Sequence, residues 1–358
     1  MRIPERDWDR AVALLSEASE VALACHVDPD GDALGSMLAL RHQLARRGVR
    51  VWASYGSAQG RDTPFSVPAQ YTFLPGLGEL TRPDDFPSAP ELLVAFDCAS
   101  LDRLGSLRPN AEAAGTELVL DHHASGAAFG DVRLIDADAP ATAVVVAELL
   151  DRLGMELDRD TAECLYVGLV TDTGRFSYSS TTPDTLRLGA RLMEYGIDHA
   201  GINRRVWETH SFGYLKVLAR ALERTRLEPS VGLTWTVLRQ ADLAELGITL
   251  AETEGLIDVL RAVESSDCAL VIKEQADGRW KATLRSKGRV NVGLVAERLG
   301  GGGHAFAAGF GAGGSPEEVV RSVVALLGED DLQRTEAPPG SRKPLRGSAP
   351  VLPVGGTG

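Results

Sequence analysis

The sequence predicts an α/β protein: an N-terminal domain on a mostly parallel sheet, a helical connector, and a smaller C-terminal α/β domain. Three observations point there. Short apolar runs alternate with Ala- and Leu-rich helical stretches from about residue 20 to 170, the pattern of a sheet with helices on both faces. Residues 183–226 then carry apolar positions at helical spacing, with Pro183 suited to a first helical turn. A second, shorter set of strand and helix patterns occupies 229–328.

Taken in order, residues 6–18 read as a helix, 21–26 as a strand, 34–47 as a helix and 49–54 as a strand. The stretch 55–90 is rich in Pro, Gly and Ser and reads as a surface excursion. Strands follow at Glu91–Phe96 and Glu117–Leu120, then helices at 142–153 and 158–170. In the second set, strands are expected at 231–238, 268–274 and 279–285, and helices at 251–262, 291–299 and 316–327. Residues 329–358 combine Pro, Gly and charge with little to bury, and are expected to be disordered. The expected domains are 1–182, the connector 183–228, 229–328 and this tail.

With 358 residues and 44% hydrophobic content, the chain can build two or three cores. A net charge of −13 argues against broad, non-specific binding to duplex DNA, yet allows a short anionic substrate held by a few cations. Cys25, Cys98, Cys164 and Cys268 lie far apart without CxxC spacing, so buried free thiols are expected. The charged N-terminus lacks a signal-peptide core, and no apolar run reaches the length of a membrane span. A cytoplasmic protein with no membrane association is expected.

The chemistry gathers after the strands. His26-Val27-Asp28-Pro29-Asp30-Gly31-Asp32 packs three carboxylates and an imidazole into seven residues, a crowding that a hard divalent cation relieves. Asp30 and Asp32, two apart in an extended loop, can face one pocket, although an Asp-Gly turn capping the next helix explains them as well. Asp97 directly follows one buried strand and Asp121-His122-His123 ends another. An Asp directly after a buried run is costly unless it is paired or bound to a metal, although a strand-end turn also explains Asp97 taken alone and a surface pair the two histidines. Asp172 lies where a helix runs out into Thr173-Gly174-Arg175-Phe176. In a parallel sheet His26, Asp97 and His122 converge on one edge. With Asp30, Asp32 and Asp172 they form a donor set sufficient for two divalent ions, which activate a water and stabilise a phosphoryl transition state at a separation of about 3.5–4 Å.

Those residues carry a resemblance. His26-x-x-Pro29-Asp30-x-Asp32-x-x-Gly35-Ser36, Asp97, Asp121-His122-His123 and Asp172 match, in order, the motifs of the DHH phosphoesterase superfamily. Leu284-Arg285-Ser286 and Gly300-Gly301-Gly302-Gly303-His304, followed by Ala307-Ala308-Gly309, resemble its DHHA1 domain. The resemblance spans about residues 10–328 and is closest to the nano-RNase and phosphoadenosine-phosphate phosphatase group. Ala305 departs from the Pro that many members carry there.

The resemblance implies roles. His26, Asp30 and Asp97 hold one metal, and Asp32, Asp97, His122 and Asp172 the other, with Asp97 bridging and therefore catalytic. Manganese is the usual ion of the family. His123 contacts a phosphate oxygen or assists proton transfer. Arg285, Ser286, Gly301, Gly302, Gly303 and His304 bind the rest of the substrate. Arg103, Arg175, Lys287 and Arg289 lie near motif residues and are weaker candidates. The implied enzyme is a manganese-dependent phosphodiesterase that degrades short RNA or DNA oligonucleotides and dinucleotides to mononucleotides, with 3′-phosphatase activity on phosphoadenosine phosphate. Its rivals are a cyclic di-AMP phosphodiesterase, a RecJ-like single-strand exonuclease, a pyrophosphatase (disfavoured by Gly301–His304) and a non-catalytic nucleotide sensor. A homodimer is in keeping with the family.

Overall fold

Residues Glu20–Cys25 (β1) are fully buried from Val21 onward, as expected of a parallel strand covered on both faces. The computed structural model describes residues 3–57, 65–123 and 129–329, with His304 described in its backbone alone. Most of the predicted tail, from residue 330, and the His304 side chain therefore lie outside the described residues. The chain divides into two units, 1–215 and 216–358, so the expected connector 183–228 is shared between them. No described helix is long and apolar enough to cross a membrane.

In the first unit, helix α1 (Glu5–Glu17) precedes β1, and α2 (Gly31–Arg46) leads to β2 (Arg50–Tyr55). There follow β3 (Leu92–Phe96), α3 (Arg108–Glu112), β4 (Thr116–Asp121), β5 (Val132–Ile135), α4 (Thr142–Arg152), α5 (Arg159–Asp172), α6 (Pro183–Met193) and α7 (His199–Asn203). The five strands form one parallel sheet in the order β2-β1-β3-β4-β5. The chain moves outward from β1 to β2 and then returns to β3 on the other side of β1. This reversal is the switch point at which open α/β sheets bind ligands beyond their carboxyl ends. Leu34, Met37, Leu38 and Leu165 pack on one sheet face, and Leu104, Leu107 and Ala111 on the other.

Three sequence expectations need correction. Helix α2 starts at Gly31, not 34, because the Asp30 side chain accepts the Asp32 and Ala33 amides and caps it there. The excursion 55–90 is not wholly superficial: Tyr71, Leu74 and Phe86 are buried, since Pro and Gly interrupt elements without preventing apolar side chains from packing. Strand β5 was not foreseen; its alternation, with Val132 and Leu134 inward, lasts only four residues.

The second unit's mixed sheet has the order β10-β11-β9-β8-β7-β6. Its strands are β6 (Arg226–Glu228), β7 (Leu233–Leu238), β8 (Cys268–Glu274), β9 (Trp280–Ser286), β10 (Gly302–His304) and β11 (Ala307–Ala312). Only β7 and β8 pair parallel. Helices α8 (Phe212–Glu223), α9 (Gln240–Leu246) and α10 (Leu256–Arg261) contribute to the core on one face. Helices α11 (Val292–Arg298) and α12 (Pro316–Leu327) contribute to the core on the other. The glycine run, read from sequence as open loop, enters an edge hairpin in which Gly302 pairs with Gly309. A Cβ at Gly301 would lie 2.1 Å from the Gly309 carbonyl oxygen, so packing alone demands glycine there.

Candidate active site

The switch point gathers the first cluster. His26 leaves β1, Asp30 opens α2 and Asp97 leaves β3. His26 Nε2 lies 3.4 Å from Asp97 Oδ2 and 3.8 Å from Asp30 Oδ2. Asp30 thus both caps a helix and faces the site, so the two sequence readings of it hold together. Asp97 takes φ 57°, a left-handed conformation that costs a non-glycine residue of order 1 kcal/mol or more. Its amide still donates to Leu120 O at 2.9 Å, which extends the β3–β4 pairing into the site.

The second cluster adjoins it through Asp97. His122 Nε2 lies 3.2 Å from Asp172 Oδ2, 3.5 Å from Asp97 Oδ1 and 4.0 Å from Asp32 Oδ2. Asp32 is fully buried at the start of α4, where it accepts the Thr142 amide at 2.6 Å, the Ala143 amide at 2.9 Å and the Ser36 hydroxyl at 3.1 Å. The orphan amides of a helix N-terminus suit an anion. Gly35 brings α2 against α5: a Cβ there would sit 2.3 Å from Cys164 O. Helix α5 ends at Asp172, so this close crossing sets the distance between Asp32 and Asp172.

Both imidazoles are turned the same way. His26 Nδ1 lies 2.8 Å from Val27 O, and His122 Nδ1 lies 3.2 Å from Ala139 O. A carbonyl only accepts, so each Nδ1 carries a proton and each Nε2 faces carboxylate oxygens. Two lone pairs at those separations repel unless a second ring proton or a metal lies between them. Burial disfavours the charged His122 ring, but the hydrogen bond to Asp172 and the charges of Asp97 and Asp32 raise it to about 11. Burial also raises Asp97, but His26 and the other two imidazoles hold it well below the carboxylate range. Asp32 is pushed well up by burial, then by Asp172 and Asp97. Burial, with Asp30, lifts Asp172 to about 6.

Among the described residues, the ion-pair partners of Asp30, Asp32, Asp97 and Asp172 are all histidines. Ligand atoms within 4.8 Å of one another group as His26, Asp30 and Asp97, as Asp32, His122 and Asp172, and as Asp97, His122 and His123. Carboxylate and imidazole donors with no Lys or Arg to balance them fit divalent cations.

Asp121 stood in the sequence motif without a role of its own, and Thr142 and Tyr71 were not visible there as site residues. Asp121 accepts both the His122 and His123 amides and takes His123 Nδ1 at 2.7 Å. Thr142 Oγ1 donates to Asp97 Oδ1 at 3.0 Å. Tyr71 is buried near enough for Asp30 and Asp172, after burial itself, to push its hydroxyl up. The only sequence signal for Thr142 was its place at a helix start. Asp28, left out of the ligand set, is exposed.

In the second unit, the predicted binding residues separate by face. Arg285 lies on the accessible side of β9, whereas Ser286 is buried and its hydroxyl accepts the Gly288 and Val290 amides of the next turn. Gly302 and Gly303 lie in edge strand β10, next to β11, and Gly303 pairs with Ala308. Lys287 donates to Val263 O and Arg289 pairs with Asp267. In the first unit, Arg103 O accepts the Val27 amide at 2.8 Å, and the Arg175 guanidinium lies 5.3 Å from the Trp207 ring centroid.

The DHH family, N-terminal domain, matches residues 20–169, and the DHHA1 domain matches residues 236–329. Over 309 residues the chain is 31% identical to the bifunctional oligoribonuclease and PAP phosphatase NrnA of Thermus thermophilus, covering 85% of this chain and 89% of that protein. It is 27% identical over 285 residues to the probable bifunctional oligoribonuclease and PAP phosphatase NrnA of Streptococcus mutans, covering 79% and 86%. An exopolyphosphatase-related protein from Bacteroides fragilis shares the fold, with a TM-score of 0.82 at 23% identity over 91% of this chain and 96% of that one.

Proposed function

The chain belongs to the DHH phosphoesterases and is a hydrolase, and on that premise we propose that it cleaves short oligonucleotides and dinucleotides to mononucleotides and removes the 3′-phosphate of phosphoadenosine phosphate. The observation that carries this reading is the meeting of two ligand clusters at Asp97, on the switch-point edge of the sheet. The names of the relatives from Thermus thermophilus and Streptococcus mutans support the substrate class.

In this reading His26, Asp30 and Asp97 hold one divalent ion, Asp32, His122 and Asp172 hold a second, and Asp97 serves both. Manganese suits the mixed oxygen and nitrogen donors. When bound, the pair of ions supplies an activated water and neutralises charge on the phosphoryl group. Thr142 and the α4 amides fix Asp97 and Asp32 in place. Asp121 accepts from His123 Nδ1, which leaves Nε2 as the nitrogen able to pass a proton to the departing oxygen. The environment of His123 suits it to that proton transfer. Burial disfavours its charge, whereas the hydrogen bond to Asp121 and the charges of Asp97 and Asp121 favour it and raise its pKa above the usual value. Arg285, with the backbone of Gly302 and Gly303, binds a phosphate of the substrate.

The test is hydrolysis of a dinucleotide, a pentanucleotide, phosphoadenosine phosphate, cyclic di-AMP and long single-stranded DNA, with added manganese and with a chelator. Metal-dependent release of mononucleotides from the short substrates is expected. Equal turnover by wild type, Asp97→Ala and His122→Ala overturns the metal assignment, and a preference for long DNA overturns the substrate class.

A further inference from the structure

Strand β9 carries a cationic ladder on one face. Trp280, Ala282, Leu284 and Ser286 point into the core, while Lys281, Thr283 and Arg285 point outward, with Arg279 two residues before Lys281. Strand register places Ala307, Gly309 and Gly311 of β11 directly beside Arg285, Thr283 and Lys281. Direct partners share a sheet face, so the ladder stands beside a flat floor without bulky side chains. On β8 the same face carries Ala269, Val271 and Lys273, of which Ala269 and Val271 lie under the core shared with α8, α9 and α10.

Lys273 makes this more than an ordinary solvated edge. It is 3% exposed and stands opposite Lys281 across the strands. Like charges in that relation destabilise a sheet. One carboxylate, Glu254, takes the Lys273 amine at 2.9 Å and also feels Lys281 and Arg285. Three cations around one carboxylate leave a positive surplus in a chain whose net charge is −13. Lys273 is held by Glu254 and Arg279 pairs with Asp277, while the outward positions of β9 and β11 remain at least partly accessible among the described residues.

We propose that Lys281, backed by Lys273 and followed by Arg279, holds a phosphate further along a single-stranded oligonucleotide than the one Arg285 holds, and so sets the preference for substrate length. The inference rests on the substrate class proposed above. Arg285 and Lys281 are four residues apart, about 13 Å along an extended strand. The single internal phosphate of a dinucleotide is the one to be cleaved, so at most a terminal phosphate is left for Arg285 and none reaches Lys281, while a longer chain continues over the glycine floor.

The experiment compares the intact chain with Lys281→Ala, Lys281→Arg and Arg279→Ala on di-, tri- and pentanucleotides. For Lys281→Ala, the ratio of kcat/KM on the pentanucleotide to that on the dinucleotide is expected to fall roughly tenfold, through KM, and the salt dependence for the pentanucleotide to drop by about one ion. Lys281→Arg is expected to restore the ratio and Arg279→Ala to lower it less. A ratio unchanged in Lys281→Ala, or an equal loss on all lengths, overturns the proposal. Fluorescence anisotropy of the same labelled oligonucleotides with metal-free protein reads the length effect without turnover. If wild type hydrolyses none of these substrates, the functional reading fails; a length-dependent loss of binding in Lys281→Ala still upholds the ladder, and its absence overturns it.

Discussion

Asp32, Asp97 and His26 in the first unit are each no more than 5% exposed, whereas Arg279 and Lys281 in the second stand in solvent on an accessible strand face. The charge balance differs in the same sense. Residues 1–215 hold 19 Lys and Arg against 32 Asp and Glu, with no lysine at all, while 216–329 hold 14 against 15. Breaking a phosphate ester calls for carboxylates fixed in advance, and burial, helix caps and a strained Asp97 supply that at a cost in stability. Holding a substrate calls for cations it can reach, and an alternating strand supplies those with little strain.

The largest effect is expected where the two proposed metal clusters meet. Asp97→Asn is expected to reduce kcat by roughly a thousandfold or more, about 4 kcal/mol, and to weaken metal binding at both positions. The same change removes a charge that three imidazoles stabilise, so the metal-free variant is expected to melt somewhat below wild type yet remain folded. Kinetics with metal titration, beside thermal denaturation in chelator, tests both halves. A variant that loses activity only because it unfolds would erase the contrast between the units.

Gly35→Ala tests how the fold sets the site. Its Cβ would meet the Cys164 carbonyl at 2.3 Å, so α2 and α5 must part, at a cost of about 1–3 kcal/mol. Asp32 and Asp172 ride on those helices, and metal affinity should fall with stability. Urea denaturation and metal titration are expected to show both losses, with Arg285-side substrate binding retained. Unchanged metal affinity would mean that the crossing does not set the ligand spacing.

Acidity separates the units next. Asp172 is raised to about 6 and His122 to about 11 in the folded chain. A raised folded pKa adds stability in full below the unfolded value, near 3.9 for Asp and 6.5 for His, and that stability fades as pH rises through the folded value. Metal-free protein should therefore lose protection between about pH 4 and 6 through Asp172, and again above about 6.5 through His122. A bound cation replaces the lost protons, so the stabilisation by manganese should grow with pH. Hydrogen exchange in chelator and in manganese, from pH 5 to 9, is expected to show this in β1 and β3 and not in β8 and β9. Equal response in both sheets would count against it.

The proposed ligands were easier to read from the sequence than their supports. His26, Asp97 and His122 were legible because each directly follows an apolar run, and a strand end is a place that periodicity can locate. Asp30 and Asp32 were legible as a charge cluster, but an extended loop was the wrong geometry, since the cap at Asp30 draws Gly31 and Asp32 into the helix. Thr142 and Tyr71 were missed because their partners lie far away in sequence, and Asp121 was seen in its motif without its role, which depends on the backbone amides and ring of its neighbours. The second sheet was half visible: β7, β8 and β9 are apolar enough to see, whereas β10 and β11 are largely Gly and Ala, whose strand character comes from pairing alone.

That same glycine run offers the finest test of where substrate touches the second unit. Gly301 and Gly302 are neighbours with opposite surroundings. A Cβ at Gly301 would strike Gly309 O at 2.1 Å, whereas nothing lies within 4 Å of one at Gly302. Gly301→Ala should therefore destabilise the hairpin by about 1–3 kcal/mol whatever the substrate does. Gly302→Ala should change stability by no more than about 0.5 kcal/mol. If a phosphate rests against the backbone of β10, its methyl group should still raise KM severalfold while leaving kcat in place, because the metal ligands belong to the other unit. An unchanged KM in a fully stable Gly302→Ala would place the phosphate elsewhere and leave the ladder of Arg285 and Lys281 as the sole grip.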